Sequence, residues 1–272
     1  MNKTIWTLCA LIISAAAAFG QKAETSAPDS TRIVRADSLS ADVLDRKIEN
    51  QAFRVGEYLK FVVRFGPIRA GYAYMEIPEM VEYQGRRCYR AVSRAESNDF
   101  FSTFYKVRDR AESLIDSAGI FSWRFKKSLR EGKYRADVVE EFDQYRHRVI
   151  TRKDTIPVSP YVQDVLSALY FVRTQDLRVG ESIEINTFSD GKKYPLIVKV
   201  HKKEKVRVEA GKFTCFVVEP MLKSTGIFKH KGRITVWLTD DVYKMPVMMK
   251  TEILVGSIIA ELMEYRGVYL TN

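Results

Sequence analysis

Any chemistry in this chain of 272 residues has to come from a short list of side chains. The most suggestive group stands in "SPYVQDVLSALYFVR", Ser159 to Arg173, where Gln163, Asp164 and Ser167 are set among apolar residues. A carboxylate and a hydroxyl this close could serve a hydrolase if the fold brought a histidine to them, because nucleophile and base must touch. Spacing does not help the three histidines, His147, His201 and His230: none stands at a metal-ligand interval from another His, Cys or Asp. Neither G-x-S-x-G nor H-E-x-x-H occurs. Gly56, Gly66 and Gly71 are too widely spaced for a phosphate loop and suit strand ends and turns. Asp240 and Asp241 are adjacent, so on a strand they would face opposite sides, and a turn role fits them better. No metal, no cofactor and no catalytic residue is expected. Gln163, Asp164 and Ser167 are expected either to bond backbone groups left open at a sheet rim or to line a ligand pocket.

These three residues sit on the one segment with helical periodicity. Ser159 reads as the N-cap and Pro160 as the first helical residue, where its missing N–H costs nothing. Val162, Val165, Leu166 and Leu169 follow at helical spacing and form an apolar stripe. The pattern predicts a helix over about 160–173. Elsewhere the period is two. In "KYRADVVEEFD", Tyr134, Ala136, Val138 and Phe142 share one face, and Arg135, Asp137, Glu141 and Asp143 the other. Turns are expected at Gly66-Pro67, Ala118-Gly119 and Glu131-Gly132. A hairpin is expected at Ser189-Asp190-Gly191. The apolar stretch Ile253 to Met263 is broken by Gly256 and Glu261 and reads as two strands, since it is too short and too interrupted for a spanning helix.

The strand series also repeats itself. "RVGEYLKF" at Arg54 resembles "RVGESIEI" at Arg178, 124 positions on. Gly85 before Cys88 is answered by Gly211 before Cys215, and Arg110 and Asp116 by Arg233 and Asp240. Trp123 and Trp237 read as core residues in roughly corresponding places. Two similar antiparallel meanders are expected, curled into a barrel-like or spiral sheet with the helix between them. A helix laid into the opening of such a sheet would cover both core and unpaired strand edges.

The N-terminus reads as a targeting segment. Residues 1–20 combine a basic start at Lys3, an apolar run and a small-residue end at Ala18-Phe19-Gly20, which predicts a signal peptide with the mature chain starting near Gln21. Cys9 lies inside the run, not after it, which argues against lipidation there. Residues 21–51 are polar and read as a linker, partly disordered, in which Ser40, Val43, Leu44 and Ile48 could form a short capped helix. Residues 52–270 are expected to be one β-barrel-like domain. Cys88 and Cys215 could pair in an oxidising compartment or stand as two buried thiols, and the second reading is favoured in a chain this long.

The formal net charge of +10 falls to +9 once Lys3 leaves with the leader. Such a surface suits anionic lipid or an acidic glycan, with "HKKEKVR" at His201 and "KHKGR" at Lys229 as its densest runs. Export argues against nucleic acid. Density of charge on both sides of strands, as at Lys106, Arg108, Asp109 and Arg110, and the central helix argue against an outer-membrane barrel.

Several stretches, in order, resemble a bacterial family of unknown function, the one numbered 3108: "VGEYLKFVVRFGPIRAGYAYMEI", "SNDFFSTFYKVRD", "VQDVLSALYFVR", "GKFTCFVVEP" and "GRITVWLTDDVYKMPVMMKTEILVGSIIAEL". The resemblance covers about Phe53 to Gly267. It implies an exported envelope protein with a largely antiparallel, barrel-like sheet, and no established activity. Gln163, Asp164 and Ser167 match its pattern. The leading expectation is a non-enzymatic periplasmic envelope protein that binds an apolar or lipid-like ligand in or beside the sheet. The second is an interaction module that meets another envelope protein, which a filled sheet interior would favour. A hydrolase is the third.

Overall fold

The computed structural model describes residues 44–222, 233–253 and 256–268. The segment read as a signal peptide, most of the expected linker, Lys229 and His230 lie outside the described residues. The strands are β1 (Tyr58–Phe65), β2 (Ile68–Tyr83), β3 (Arg86–Ser97), β4 (Arg108–Asp116), β5 (Ser122–Glu131), β6 (Tyr134–Asp143), β7 (Arg148–Ile150), β8 (Thr155–Pro157), β9 (Ser182–Ser189), β10 (Lys192–Val208), β11 (Gly211–Leu222), β12 (Ile234–Thr239), β13 (Pro246–Glu252) and β14 (Ser257–Arg266). A one-turn helix, α1 (Asp99–Ser102), joins β3 to β4, and α2 (Val165–Arg173) separates the two halves. The strands form one 14-stranded antiparallel sheet in the order β8-β7-β6-β5-β4-β3-β2-β1-β14-β13-β12-β11-β10-β9. It is two meanders zipped together through β1 and β14, from Tyr58↔Arg266 to Phe65↔Ile258. The sheet is barrel-like but not closed, with β8 and β9 as its edges.

The internal repeat is structural. Gly56 and Gly180 both take φ 92°, a left-handed value that glycine adopts at little cost. Glu57 N donates to Arg54 O, and Glu181 N to Arg178 O. Gly56 N and Gly180 N reach Ile77 O and Val200 O, whose own N–H groups return to Glu57 O and Glu181 O. Each RVGE turn therefore pins the first strand of its half to the second. The tryptophans are not equivalent, however: Trp123 stands on the fifth strand of its half and Trp237 on the fourth strand of the other.

Helix α2 is embedded in the concave side. Leu166 packs with Phe125, Leu129, Phe142 and Phe188. Ala168 and Val172 pack with Val198, Val200, Phe216 and Leu238. Tyr170 packs with Leu59, Phe61, Met75 and Ile115. A helix buried on several sides is a core element and does not lie on the surface as a lid.

The structure corrects the helix start. The helix begins at Val165, not at Pro160, and Asp164, not Ser159, is its N-cap. The reason is competition for backbone groups. Gln163 N donates to Asn186 O and Phe188 N to Gln163 O, both at 2.9 Å, so this residue is held in a parallel bridge against β9 and cannot join the helix. The same bridge covers part of the β9 edge, which removes unpaired strand groups.

Residues 44–51, read as linker, are instead docked without helix. Leu44 packs with Cys88, Leu114, Phe121 and Trp123. Arg46 donates to Gly119 O at 2.8 Å and Ile120 O at 2.9 Å, and its guanidinium lies 4.3 Å over the Tyr161 ring. Cys88 and Cys215 are free and buried in separate clusters, so the disulfide alternative fails. Burial pushes both thiols up to about 12, the condition of inert packing groups.

Candidate functional site

The polar residues singled out in the sequence converge on one buried seam where α2 begins. Asp164 is fully buried. Its Oδ1 accepts from Leu166 N at 2.7 Å and Ser167 N at 2.9 Å, and Ser167 Oγ completes a capping box with Asp164 N at 2.9 Å. Its Oδ2 accepts from Ser113 Oγ on β4 and Ser122 Oγ on β5, both at 2.5 Å. Gln163 Nε2 donates to Ile120 O at 2.7 Å. Gln144, in the 3-10 turn after β6, donates to Ser122 O at 2.6 Å and Val162 O at 3.0 Å. Burial raises the Asp164 carboxyl above its usual range while these four donors pull it back.

This arrangement ties α2 to β4, β5 and β9. It leaves Asp164 without a free lone-pair direction for a proton relay, and Ser167 Oγ is engaged with Asp164 backbone. His201 pairs instead with Glu219 at 2.6 Å. The Gln163 and Gln144 amide oxygens are buried without a hydrogen-bond donor.

A second polar cluster, which sequence reasoning missed, lies on the inner faces of β4, β5 and β6. Asp109, Lys127, Glu131 and Glu140 are all buried there. Lys127 Nζ is 2.7 Å from Asp190 Oδ1 in the β9–β10 turn, and Gly191 N donates to Glu140 Oε1 at 3.1 Å. This two-residue turn, with Asp190 and Gly191 both at positive φ, is the expected hairpin. Asp109 and Glu131 stand together in this buried cluster, so ionising one disfavours ionising the other. Desolvation first, then Asp109, lifts Glu131 to about 7. Desolvation lifts Glu140 to about 7 as well. The signal was present in the sequence, because Glu140 shares the inward period of Ala136, Val138 and Phe142 on β6.

Paired carboxyls near neutrality are a feature that active sites also use. Here Glu140 is packed under the β9–β10 turn and accepts from Gly191 N. Among the described residues no group of three or more His, Cys, Asp or Glu is arranged to hold a metal ion.

The raised values set a pH dependence. A carboxyl titrating near 7 in the folded chain and near 4.5 in the unfolded chain takes up a proton on folding anywhere between. Its contribution to stability is therefore greatest below about pH 4.5 and is lost as pH rises through 7, with no further loss above. The loss is about 3 kcal/mol for a shift of this size, and solvent access to the cluster would reduce it. Glu140→Gln keeps the acceptor for Gly191 N and removes the ionisation. It should raise the melting temperature at pH 8 and flatten the pH 5–8 slope. A parent-like profile would show that Glu140 does not titrate in this window.

A third feature is the Arg173–Glu57 ion pair, fully buried, at the far end of α2. Beside it lies a cavity of about 220 Å³ lined by Asn50, Ala52, Phe53, Glu57, Tyr243 and Val268, among others. The outer surface is of opposite character. Arg90 bridges Glu79 at 2.7 Å and Glu112 at 2.9 Å across β2, β3 and β4, and Arg130 pairs with Asp137 at 2.8 Å. Such charged ladders face water, the reverse of the apolar-out pattern of a membrane barrel. No helix among the described residues is long and apolar enough to cross a membrane.

Fold and site together define an open, barrel-like antiparallel sheet from two meanders, filled by a central helix whose polar residues hold it in place. The chain belongs to the family described as "Protein of unknown function (DUF3108)", whose model matches residues 60–263. No curated protein matches it. Among solved structures it is similar to a beta-barrel-like protein of the DUF1849 domain of unknown function from Brucella abortus, with 13% identity, 79% of this chain and 98% of that chain covered, and a TM-score of 0.53. That likeness shows the fold. Two others align with lower TM-scores: a candidate lipoprotein from Parabacteroides distasonis (11% identity, 82% and 100% covered, 0.37) and a candidate exported protein with a YmcC-like fold from Bacteroides fragilis (10%, 81% and 99%, 0.31).

Proposed function

We propose that this chain is an exported, non-enzymatic module of the cell envelope that works through its outer surface and carries no ligand within its sheet. The observation that supports this reading is the filled interior. Helix α2 and three clusters of buried side chains occupy the concave side. The cavity beside the Arg173–Glu57 pair, about 220 Å³, is smaller than the roughly 300–1,000 Å³ of typical ligand pockets. The filled interior favours the interaction module over a lipid-like ligand held within the sheet. The saturated bonding of Asp164 and Ser167 speaks against the hydrolase reading. Export rests on the leader pattern of residues 1–20.

The test is fractionation followed by native mass spectrometry of the purified chain. The expected result is periplasmic protein starting near Gln21, with no stoichiometric small molecule. Recovery from the cytoplasm with Met1 intact would overturn export. A lipid bound one-to-one would restore the carrier reading.

A further inference from the structure

The β3–β4 connection carries two aromatic side chains that nothing in the fold uses. Phe100 is 64% exposed and Phe104 70% exposed. They stand four residues apart and stack edge-on with ring centroids 5.7 Å apart. Single exposed apolar residues are ordinary on soluble proteins; two adjacent phenylalanines on one loop tip are not.

The loop that presents them is tied to the fold by hydrogen bonds. Asn98 caps α1, with Oδ1 accepting from Phe101 N at 2.8 Å, and its Nδ2 donates to Arg69 O at 2.7 Å. Ser97 Oγ and Ser102 Oγ are 2.7 Å apart, and Tyr105 N donates to Phe101 O at 2.8 Å. Gly132 N donates to Lys106 O at 2.8 Å, which seats the loop against the β5–β6 turn. The backbone is thus satisfied within the fold while the two rings point away from it.

Two more apolar groups flank the tip from the neighbouring turns, Ile68 (46% exposed) and Tyr134 (55% exposed). Around them stand Lys106 and Lys133, both exposed and without an acidic partner among the described residues, and Arg108, exposed and opposite the exposed Glu96 in the β3–β4 register. Asp99 is the loop's one exposed acid. Arg69 is not part of this free charge, because Glu209 holds it at 2.6 Å.

We propose that the Phe100–Phe104 loop is a membrane-surface anchor that seats on anionic lipid. A protruding apolar tip with a collar of exposed cations matches a fluid interface: rings enter the acyl boundary while lysine and arginine meet headgroup phosphates. A protein partner would need a concave receptor for so small a convex tip, and the collar would sit at its rim. The proposal goes beyond the envelope reading and depends on it only for the compartment in which such lipid is met. Its residues are separate from the His201 and Lys229 runs.

The experiment uses the exported, processed chain and sedimentation with vesicles of phosphatidylethanolamine and phosphatidylglycerol, or of phosphatidylcholine alone. The parent should sediment with the anionic vesicles, less so in high salt. Phe100→Ser/Phe104→Ser should lower the bound fraction at least tenfold. Lys106→Glu/Lys133→Glu should abolish the preference for anionic vesicles. All these side chains are exposed, so each variant should melt with the parent. Phe104→Trp, which removes no apolar surface, should shift its emission to the blue on anionic vesicles only. A parent that does not sediment, variants that sediment like it, or a Phe-dependent dimer in place of vesicle binding would overturn the anchor. None of these outcomes would move the protein out of the periplasm, so the two proposals fail separately.

Discussion

Arg173→Ala should destabilise the fold by about 3–5 kcal/mol, the usual cost of removing one partner from a buried ion pair. Arg173 lies in the last turn of α2 and Glu57 in the first RVGE turn, and neither side chain has solvent exposure. Two parallel bonds join them, Nη1 to Oε1 at 2.8 Å and Nη2 to Oε2 at 2.6 Å. The guanidinium also donates to Ala52 O at 2.9 Å and Tyr243 O at 3.2 Å, so one side chain links helix, N-terminal segment and β12–β13 loop. Truncation leaves the Glu57 carboxylate in an apolar wall. The cavity alongside can admit water to it, which places the cost toward the lower end of the range. Glu57→Leu/Arg173→Met removes both charges and should cost less than either single change, because attraction inside a protein barely repays desolvation.

The fold supplies a control. Glu181 occupies the equivalent RVGE turn with the same backbone bonds but is exposed. Glu181→Ala should lie within about 0.5 kcal/mol of the parent. Urea unfolding measures all four proteins. Arg173→Ala and Glu181→Ala with equal midpoints would show that the pair does not hold the helix.

Asp164→Ala should cost a similar amount, about 3–5 kcal/mol, for a different reason. Loss of an N-cap acceptor alone costs roughly 0.5–2 kcal/mol. Here two serine hydroxyls from β4 and β5 lose the same partner, and buried unsatisfied groups cost about 1–3 kcal/mol each. Hydroxyls can rotate toward other acceptors, so the contributions do not add in full. Asp164→Asn keeps an oxygen for the cap but turns an amide toward two donors, and should fall between parent and Ala. Ser113→Ala/Ser122→Ala removes the donors and leaves the cap, so it should be milder than Asp164→Ala. Were Asp164 a binding group instead, Ala and Asn would both melt with the parent.

The local pattern of strands and turns could be read from the chain because it depends on neighbours. Alternation along β6, the Asp190-Gly191 turn and the RVGE repeat each express preferences of a few adjacent residues, and each appears where the sequence puts it. The helix was visible through its apolar stripe, since burial of that stripe needs only a partner, not a particular one. Its start was not. Ser159-Pro160 is a good local signal, but the backbone of Gln163 is claimed by β9, a strand that begins nearly twenty residues later. Docking of residues 44–51 was hidden for the same reason: Arg46 reads as a solvated charge until the β4–β5 turn presents its carbonyls. The roles of Asp164, Glu140 and Arg173 were decided by the tertiary structure alone. Whether a carboxylate is a cap, a buried acid held near neutrality or half of an ion pair depends on which donors other strands bring to it. Those donors, Ser113 and Ser122 for Asp164, Gly191 for Glu140, Arg173 for Glu57, lie far away in the chain, and only the curl of the sheet brings them together.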